Sequence, residues 1–386
     1  MRAVRWPDVE GKGNAHVPES ERDRRVRYLR AWAQAIGGGV REDDAAAVVR
    51  RVFAVQAQDA TAARLGIRAR SRAVDGEAVR VAYEDDRSIV RGWFMRGTLH
   101  TVPAPDVRWL LRLLGPRLLR AGERRYRELE LDEALRERAD DLLKRAVTTH
   151  GPLTRAELTE RLAPLGVPPT GQAAFHLIRH AALRGILVHG PERAEGEYAG
   201  EATFVLLDDW LLDDWLPDAG AAFPEDAAAE LARRYLKAYA PADAADFAAW
   251  AGLPAGVART AWRALADAGA SAEYAGLTVP ARRATQDADE TDTPDVRLLP
   301  AYDNYFTGYR TRELSVPAAH EKRVWPGGGV LRPTVTVDGL AVATWSRQVT
   351  KEAADVRVEP FAPLSREVRD GLAEETAAVS RFLRPE

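Results

Sequence analysis

The stretch Phe53–Leu65, FAVQAQDATAARL, sets Gln56 and Gln58 one residue apart with Asp59 directly behind them. Each amide carries two donors and two lone pairs and does not titrate, so the pair can hold and orient a polar group but cannot be a strong general base. On an unbroken helix, residues two apart point about 200° away from each other, whereas an extended or helix-ending backbone turns both to one side. Asp59 is a good N-cap for a helix beginning at Thr61, which places the pair at a junction between two helices. Taken alone, the motif also fits a local role in which two amides tie loop backbone together.

Other chemistries find little to build on. The sequence has no Cys, so disulfides and thiolate metal sites are excluded and a reducing compartment suits it. His176 and His180 lie four apart on a helical stretch, but no Glu follows His176 as a zinc hydrolase requires. No G-x-S-x-G elbow or phosphate loop is present, and the triplets Gly37–Gly39 and Gly327–Gly329 read as hinges or turns. Residues 206–217, LLDDWLLDDWLP, write one unit twice. Its paired aspartates would suit a metal-dependent nuclease, but a solvated linker anchored by Trp210 and Trp215 is the reading adopted. No metal and no cofactor are expected.

The chain of 386 residues is long enough for two to four modules. Its 46% hydrophobic and 29% charged composition is that of a globular protein, and no unbroken apolar run of about 18 residues suggests a membrane span. The N-terminus lacks the apolar core of a signal peptide, so a cytoplasmic protein is expected. A net charge of −3 hides an asymmetry: residues 1–150 hold 30 basic against 23 acidic residues, the remainder 25 against 35. Only five of the 55 basic residues are Lys; a GC-rich coding bias is the favoured explanation, and the suitability of Arg for bidentate phosphate contacts keeps a functional reading open.

Residues 148–207 show the plainest pattern. Thr154 and Glu157 form a capping box for a short helix ending near Pro164; TGQAAFHLIRHAALRG follows as a longer helix stopped by Gly185, then strands ILVHG and ATFVLLD. Helix, turn, helix and two-stranded wing make a winged helix-turn-helix. The order recurs downstream in EDAAAELARRYLKAYA, ADAADFAAWAG, PAGVARTAWRALADAG and a hairpin around Gly276. A looser copy lies upstream, where DDAAAVVRRVFAVQ, DATAARLGIRARS and DGEAVRVAYED precede apolar strands in SIVRGWFMRGTLHTVP. The last stretch is β-rich, with an aromatic loop in DVRLLPAYDNYFTGYRTR, a hairpin turning at Asp338-Gly339, and a closing helix. The expected fold is therefore mainly α with β: an N-terminal arm (1–22), winged-helix modules at 23–147, 148–217 with the linker, and 218–290, and a β-rich C-terminal domain (291–386).

The segments VQAQDATAARLGIRAR, VRGWFMRGTLHTVPAPD, RLLPAYDNYFTGYRTR and GGVLRPTVTVDGLAVATW together resemble the winged-helix DNA glycosylases typified by the YcaQ and AlkZ proteins, over about residues 25–380. The resemblance implies tandem winged helices and a β-rich part in a C-shape around DNA. Gln56-Ala57-Gln58 matches the Gln-x-Gln signature of the AlkZ-like branch, which implies catalytic Gln56 and Gln58 and excision of bulky alkylpurines, with unhooking of interstrand crosslinks. Asp59 is offset by one position from the YcaQ-type Asp and is not equated with it. The hairpin from Arg332 to Arg347, with Thr334, resembles the family's DNA-probing hairpin. Arg91, Arg96 and His100 are candidate contacts to phosphates or lesion, Arg96 and His100 serving equally well as structural hydrogen-bonders. Tyr302, Asp303 and Tyr305, with Asp59, are expected to shape or buttress the site.

The implied chemistry suits amides. Alkylation at N7 or N3 makes a purine cationic and a ready leaving group, so what remains is to hold water against C1′ and stabilise oxocarbenium character on the sugar. No Lys lies between Lys12 and Lys144, so a monofunctional glycosylase acting as a monomer on double-stranded DNA is expected. A winged-helix transcriptional regulator without chemistry is the alternative.

Overall fold

The computed structural model describes residues 20–193, 195, 200–211, 226–282, 293–349 and 354–383. Most of the expected N-terminal arm and the second copy of the Asp-Asp-Trp unit, with Trp215, lie outside the described residues. In chain order come α1 (Glu21–Ala33), α2 (Ala45–Val52), β1 (Val55–Gln56), α3 (Ala60–Arg68) and α4 (Gly76–Glu84). Next are β2 (Ile89–Trp93), β3 (Leu99–Pro103), α5 (Val107–Glu128), α6 (Glu133–His150), β4 (Leu153–Thr154), α7 (Arg155–Arg161), α8 (Ala173–Leu183), β5 (Leu187–Glu192), β6 (Ala202–Leu206) and α9 (Leu207–Trp210). The chain continues with α10 (Ala227–Tyr239), α11 (Ala244–Ala251), α12 (Ala255–Asp267), β7 (Ser271–Tyr274), β8 (Leu277–Pro280) and β9 (Val296–Leu299). It closes with α13 (Asn304–Thr307), α14 (Glu321–Val324), β10 (Thr334–Val337), β11 (Leu340–Val349), β12 (Ala354–Pro360) and α15 (Arg366–Phe382). Two compact units result, Arg80–Ala228 and the remainder, a cut that falls within α4 rather than at a module boundary read from the sequence.

In the unit Arg80–Ala228, the capping box forms in both directions: the Thr154 backbone N–H donates to Glu157 Oε2 at 2.7 Å and the Glu157 N–H to Thr154 Oγ1 at 3.3 Å. α8 ends at Gly185, whose φ of 76° needs no Cβ. β5 and β6 pair antiparallel and β4 adds to β6, while Leu143, Leu158, Leu177, Ile178, Ala181 and Phe204 form a shared core. The 22-residue helix α5, with Pro116 inside it, was not legible in the sequence.

In the other unit, β9 to β12 form one antiparallel sheet in the order β12-β11-β10-β9. α15 packs on it through Leu372 and Val379, against Val296, Leu298, Val335 and Trp345, and Leu65 of α3 joins the same core. Asp338 and Gly339, at φ 48° and 80°, make the hairpin turn with positive φ at both central residues that the Asp-Gly pair predicts. α10, α11 and α12 gather Tyr235, Tyr239, Phe247 and Trp250, with the two tyrosine rings stacked at 4.7 Å.

Candidate functional site

α2 ends at Val52, and the chain passes through a buried Phe53 and Ala54 into extended backbone at Val55–Gln56 before α3 begins. Val55 and Ala57 are buried, at 2% and 0% exposure, while Gln56 is half-buried and Gln58 exposed. That alternation belongs to an extended segment and sends the two amides away from the core side taken by Val55 and Ala57. Asp59 ends the segment: its Oδ1 accepts from the Ala62 N–H at 2.8 Å, so its carboxylate caps α3. The Gln56 side-chain oxygen is buried, yet no hydrogen-bond partner for it exists among the described residues. Such an acceptor costs about 1–3 kcal/mol where it is a packing residue, which makes it the feature of the segment that demands a visitor.

Behind this segment lies a buried polar cluster. Arg70, fully buried, grips Asp303 with two hydrogen bonds of 2.9 and 2.7 Å, and its Nη1 also donates to the Gly66 carbonyl at 2.9 Å. Asp303 is 3% exposed, and its Oδ1 accepts from the Tyr305 N–H at 2.9 Å. Gln34 Oε1 accepts from Asn304 Nδ2 at 2.5 Å and from Arg70 Nη2 at 3.4 Å, and its Nε2 donates to the Ala238 carbonyl at 2.7 Å. Tyr302 is half-buried at a left-handed φ of 59°, and the buried Tyr305 hydroxyl donates to the Gly339 carbonyl at 3.0 Å. Of the expected buttressing residues the structure brings Asp303 and Tyr305 into this cluster, while Arg70, Gln34 and Asn304 were not singled out from the sequence.

The hairpin expected to probe DNA is oriented otherwise. Its Asp338-Gly339 turn is packed inward: a Cβ on Gly339 would collide with the Tyr305 hydroxyl and lie 2.9 Å from Ala31 of α1. That turn therefore cannot enter a groove. Thr334 is fully buried and donates to the Arg332 carbonyl at 2.9 Å, so its hydroxyl is committed within the strand. Arg332 is exposed and reaches the Arg323 carbonyl at 3.4 Å. Arg347 stands exposed with Ser346 and Gln348 at the far end of β11, paired with β12, a strand the sequence did not reveal.

Arg91, Arg96 and His100 belong to the unit Arg80–Ala228, on the β2–β3 hairpin, where Arg91 pairs with Thr101 and Gly92 with His100. Arg91 and Arg96 are half-buried, Arg96 with φ 56° between the strands. His100 is 1% exposed, and burial, helped by the nearby Arg96 charge, pushes its imidazole down to about 3. The ring is neutral near pH 7, and its Nδ1–H donates to the Thr98 carbonyl at 3.0 Å. In the same unit, His180 bonds Asp140 at 3.0 Å rather than pairing with His176 on a metal; among the described residues no cluster of metal-ligating side chains forms.

One cavity of about 800 Å³ lies apart from the glutamines, between the end of α3, β9 and α15. Its buried charges are paired: Arg68 grips Glu375 at 2.8 and 2.6 Å, and Arg297 reaches both Glu375 and Asp295 at 3.0 Å. Burial works to raise the Glu375 carboxyl, but Arg68 and Arg297 outweigh it and hold it below its ordinary value.

Helical elements followed by small antiparallel hairpins, as in α7–α8–β5–β6 and α11–α12–β7–β8, are an arrangement that many nucleic-acid-binding proteins use. The chain belongs to the AlkZ-like DNA glycosylase family, whose model matches residues 49–382. It is 28% identical over 365 residues, 88% of this chain and 91% of the other, to an interstrand DNA cross-link repair glycosylase of Streptomyces sahachiroi. Its structure resembles that of the Streptomyces sahachiroi DNA glycosylase AlkZ, with a TM-score of 0.75 and 26% identity over 94% of this chain and 97% of that one. The family resemblance read from the sequence is thereby borne out, and the chain is an enzyme of DNA repair. The mixed α/β architecture agrees with it, and no helix among the described residues is long and apolar enough to cross a membrane.

Proposed function

We propose that this chain hydrolyses the N-glycosidic bond of cationic N7- or N3-alkylated purines in double-stranded DNA, bulky adducts and interstrand crosslinks included, without lyase activity. The observation that carries the reading is the buried, unpartnered Gln56 side-chain oxygen on an extended segment beside Gln58. That oxygen accepts a hydrogen bond from water held against C1′, and the two amide dipoles face the developing positive charge of the sugar. Water bonds to C1′, the C1′–N9 bond breaks with its electron pair passing to the purine, which becomes neutral, and the surplus proton leaves with solvent. A neutral amide suffices because the cationic base needs no protonation to depart.

Three winged-helix modules around the duplex, acting as a monomer, complete the proposal. The recurrence of helix, helix and hairpin in α7–α8–β5–β6 and α11–α12–β7–β8 supports it. So does α5, where Arg112, Arg120, Arg124 and Arg127 are exposed along one helix face and suit phosphates. Arg347, Arg91 and Arg96 take DNA-contacting roles, while Thr334 and His100, both buried, act by holding their strands.

The test incubates the enzyme with a duplex carrying a single 7-alkylguanine and scores abasic sites under single-turnover conditions. Gln56→Ala and Gln58→Ala are each expected to lower the rate about 10²- to 10³-fold, as loss of one preorganised dipole does. Binding without turnover on every cationic lesion would favour a non-catalytic DNA-binding protein.

A further inference from the structure

We infer that Arg70 and Asp303 are positioning residues of the excision reaction, acting through Gly66 and Val55 to fix where Gln56 presents its oxygen; this rests on the glutamine reading above. The line of contact is short. α3 starts directly behind Gln58 and carries Gly66 two turns further on. A Cβ built on Gly66 would lie 3.6 Å from Asp303 Oδ2, 3.7 Å from Val55 Cγ1 and 3.8 Å from Arg70 Nη1. The carboxylate, the helix and the residue before Gln56 therefore meet around one glycine, with no side chain between them. Arg70 holds that carboxylate from two nitrogens and Gly66 from its carbonyl, so helix and clamp cannot shift separately. Gln34 and Asn304 close the cluster, and Gln34 fastens it to the end of α10 through Ala238.

A fully buried ion pair is weak support for stability, since well-packed apolar residues in its place are often neutral or stabilising. What it adds is a directional, two-point geometry, and a small misplacement of a group at a reacting centre costs rate rather than fold. Asp303 touches neither water nor DNA in this account; it acts only by holding the strand.

The experiment replaces the pair by apolar residues, Arg70→Met with Asp303→Leu, and measures thermal midpoint, affinity for undamaged duplex and single-turnover excision of a 7-alkylguanine. The expected result is a midpoint lowered by several degrees, because the buried Tyr305 N–H loses its acceptor, unchanged affinity, and a rate lower by about 10²-fold. A folded double variant that excises at the wild-type rate overturns the inference. Should that variant fail to fold, Gly66→Ala and Gly66→Leu take its place: a rate that falls from Ala to Leu at constant affinity supports the clamp, and wild-type rates in both overturn it. Gln56→Ala runs in parallel; if it is as active as wild type, the glutamine reading itself fails and the inference with it, an outcome distinct from clamp variants that alone stay active.

Discussion

The Gln56–Gln58 segment and the seam around Glu375 are opposite solutions to buried polarity. The seam has a cavity of about 800 Å³ and several charges, yet each buried charge described there has a counter-charge at hydrogen-bonding distance. The glutamine segment has neutral groups and leaves a buried oxygen without a partner. Volume and charge mark the seam, whereas an unspent acceptor on extended backbone marks the segment proposed to do the chemistry.

Breaking the seam is expected to have the largest effect on folding. Glu375→Ala leaves Arg68 and Arg297 facing each other without their shared carboxylate and should cost about 3–5 kcal/mol in denaturant unfolding. The folded fraction should keep its excision rate; a variant that is stable but inactive would dissolve the contrast between the regions.

His100 offers the next effect. Its pKa lies near 3 in the fold against 6.5 ordinarily, so between those values the unfolded chain binds more protons and stability rises with pH. The contribution, on the order of 5 kcal/mol for the drop from 6.5 to about 3, is complete above pH 6.5 and lost as pH falls towards 3. His100→Phe should flatten unfolding free energy against pH across that window, and an unchanged slope would refute the buried neutral ring. The smallest effect belongs to Asp59→Ala, which should lower stability by about 1 kcal/mol through loss of the α3 cap. A larger fall in rate than in stability would move Asp59 from scaffold to chemistry.

How far the sequence disclosed this arrangement varied with how local each signal was. The capping box at Thr154, the Asp59 cap and the Asp338-Gly339 turn are each written within four residues, and each forms. α1 escaped because its inward face carries Arg27 and Arg30, 6% and 7% exposed, where apolar periodicity would be sought. Arg30 is buried usefully, stacked 3.8 Å over the Tyr309 ring and bonded to the Pro241 carbonyl. Helix α5 hid behind Pro116, which sits on its exposed face. The partners of Asp303 were illegible for a different reason: Arg70 is 233 residues away and Gln34 lies 270 from Asn304, so only tertiary structure joins them. That the Asp338-Gly339 turn packs inward was not legible because a turn motif specifies its backbone shape but not whether it faces solvent or, as here, Tyr305 and Ala31.

The central claim, that neutral amides do the work, is tested most directly by the pH dependence of single-turnover excision. A 3-alkyladenine duplex serves best, since the lesion has no ring N–H to lose near neutrality. Wild type and Asp59→Asn are expected to share one profile, flat from about pH 4.5 to 9 and similar in height, because neither Gln56 nor Gln58 titrates. A plateau rate that Asp59→Asn lowers by about 10² or more, or a wild-type rate that falls on the acid side in step with a carboxylate, would show a carboxylate base at work and contradict the claim.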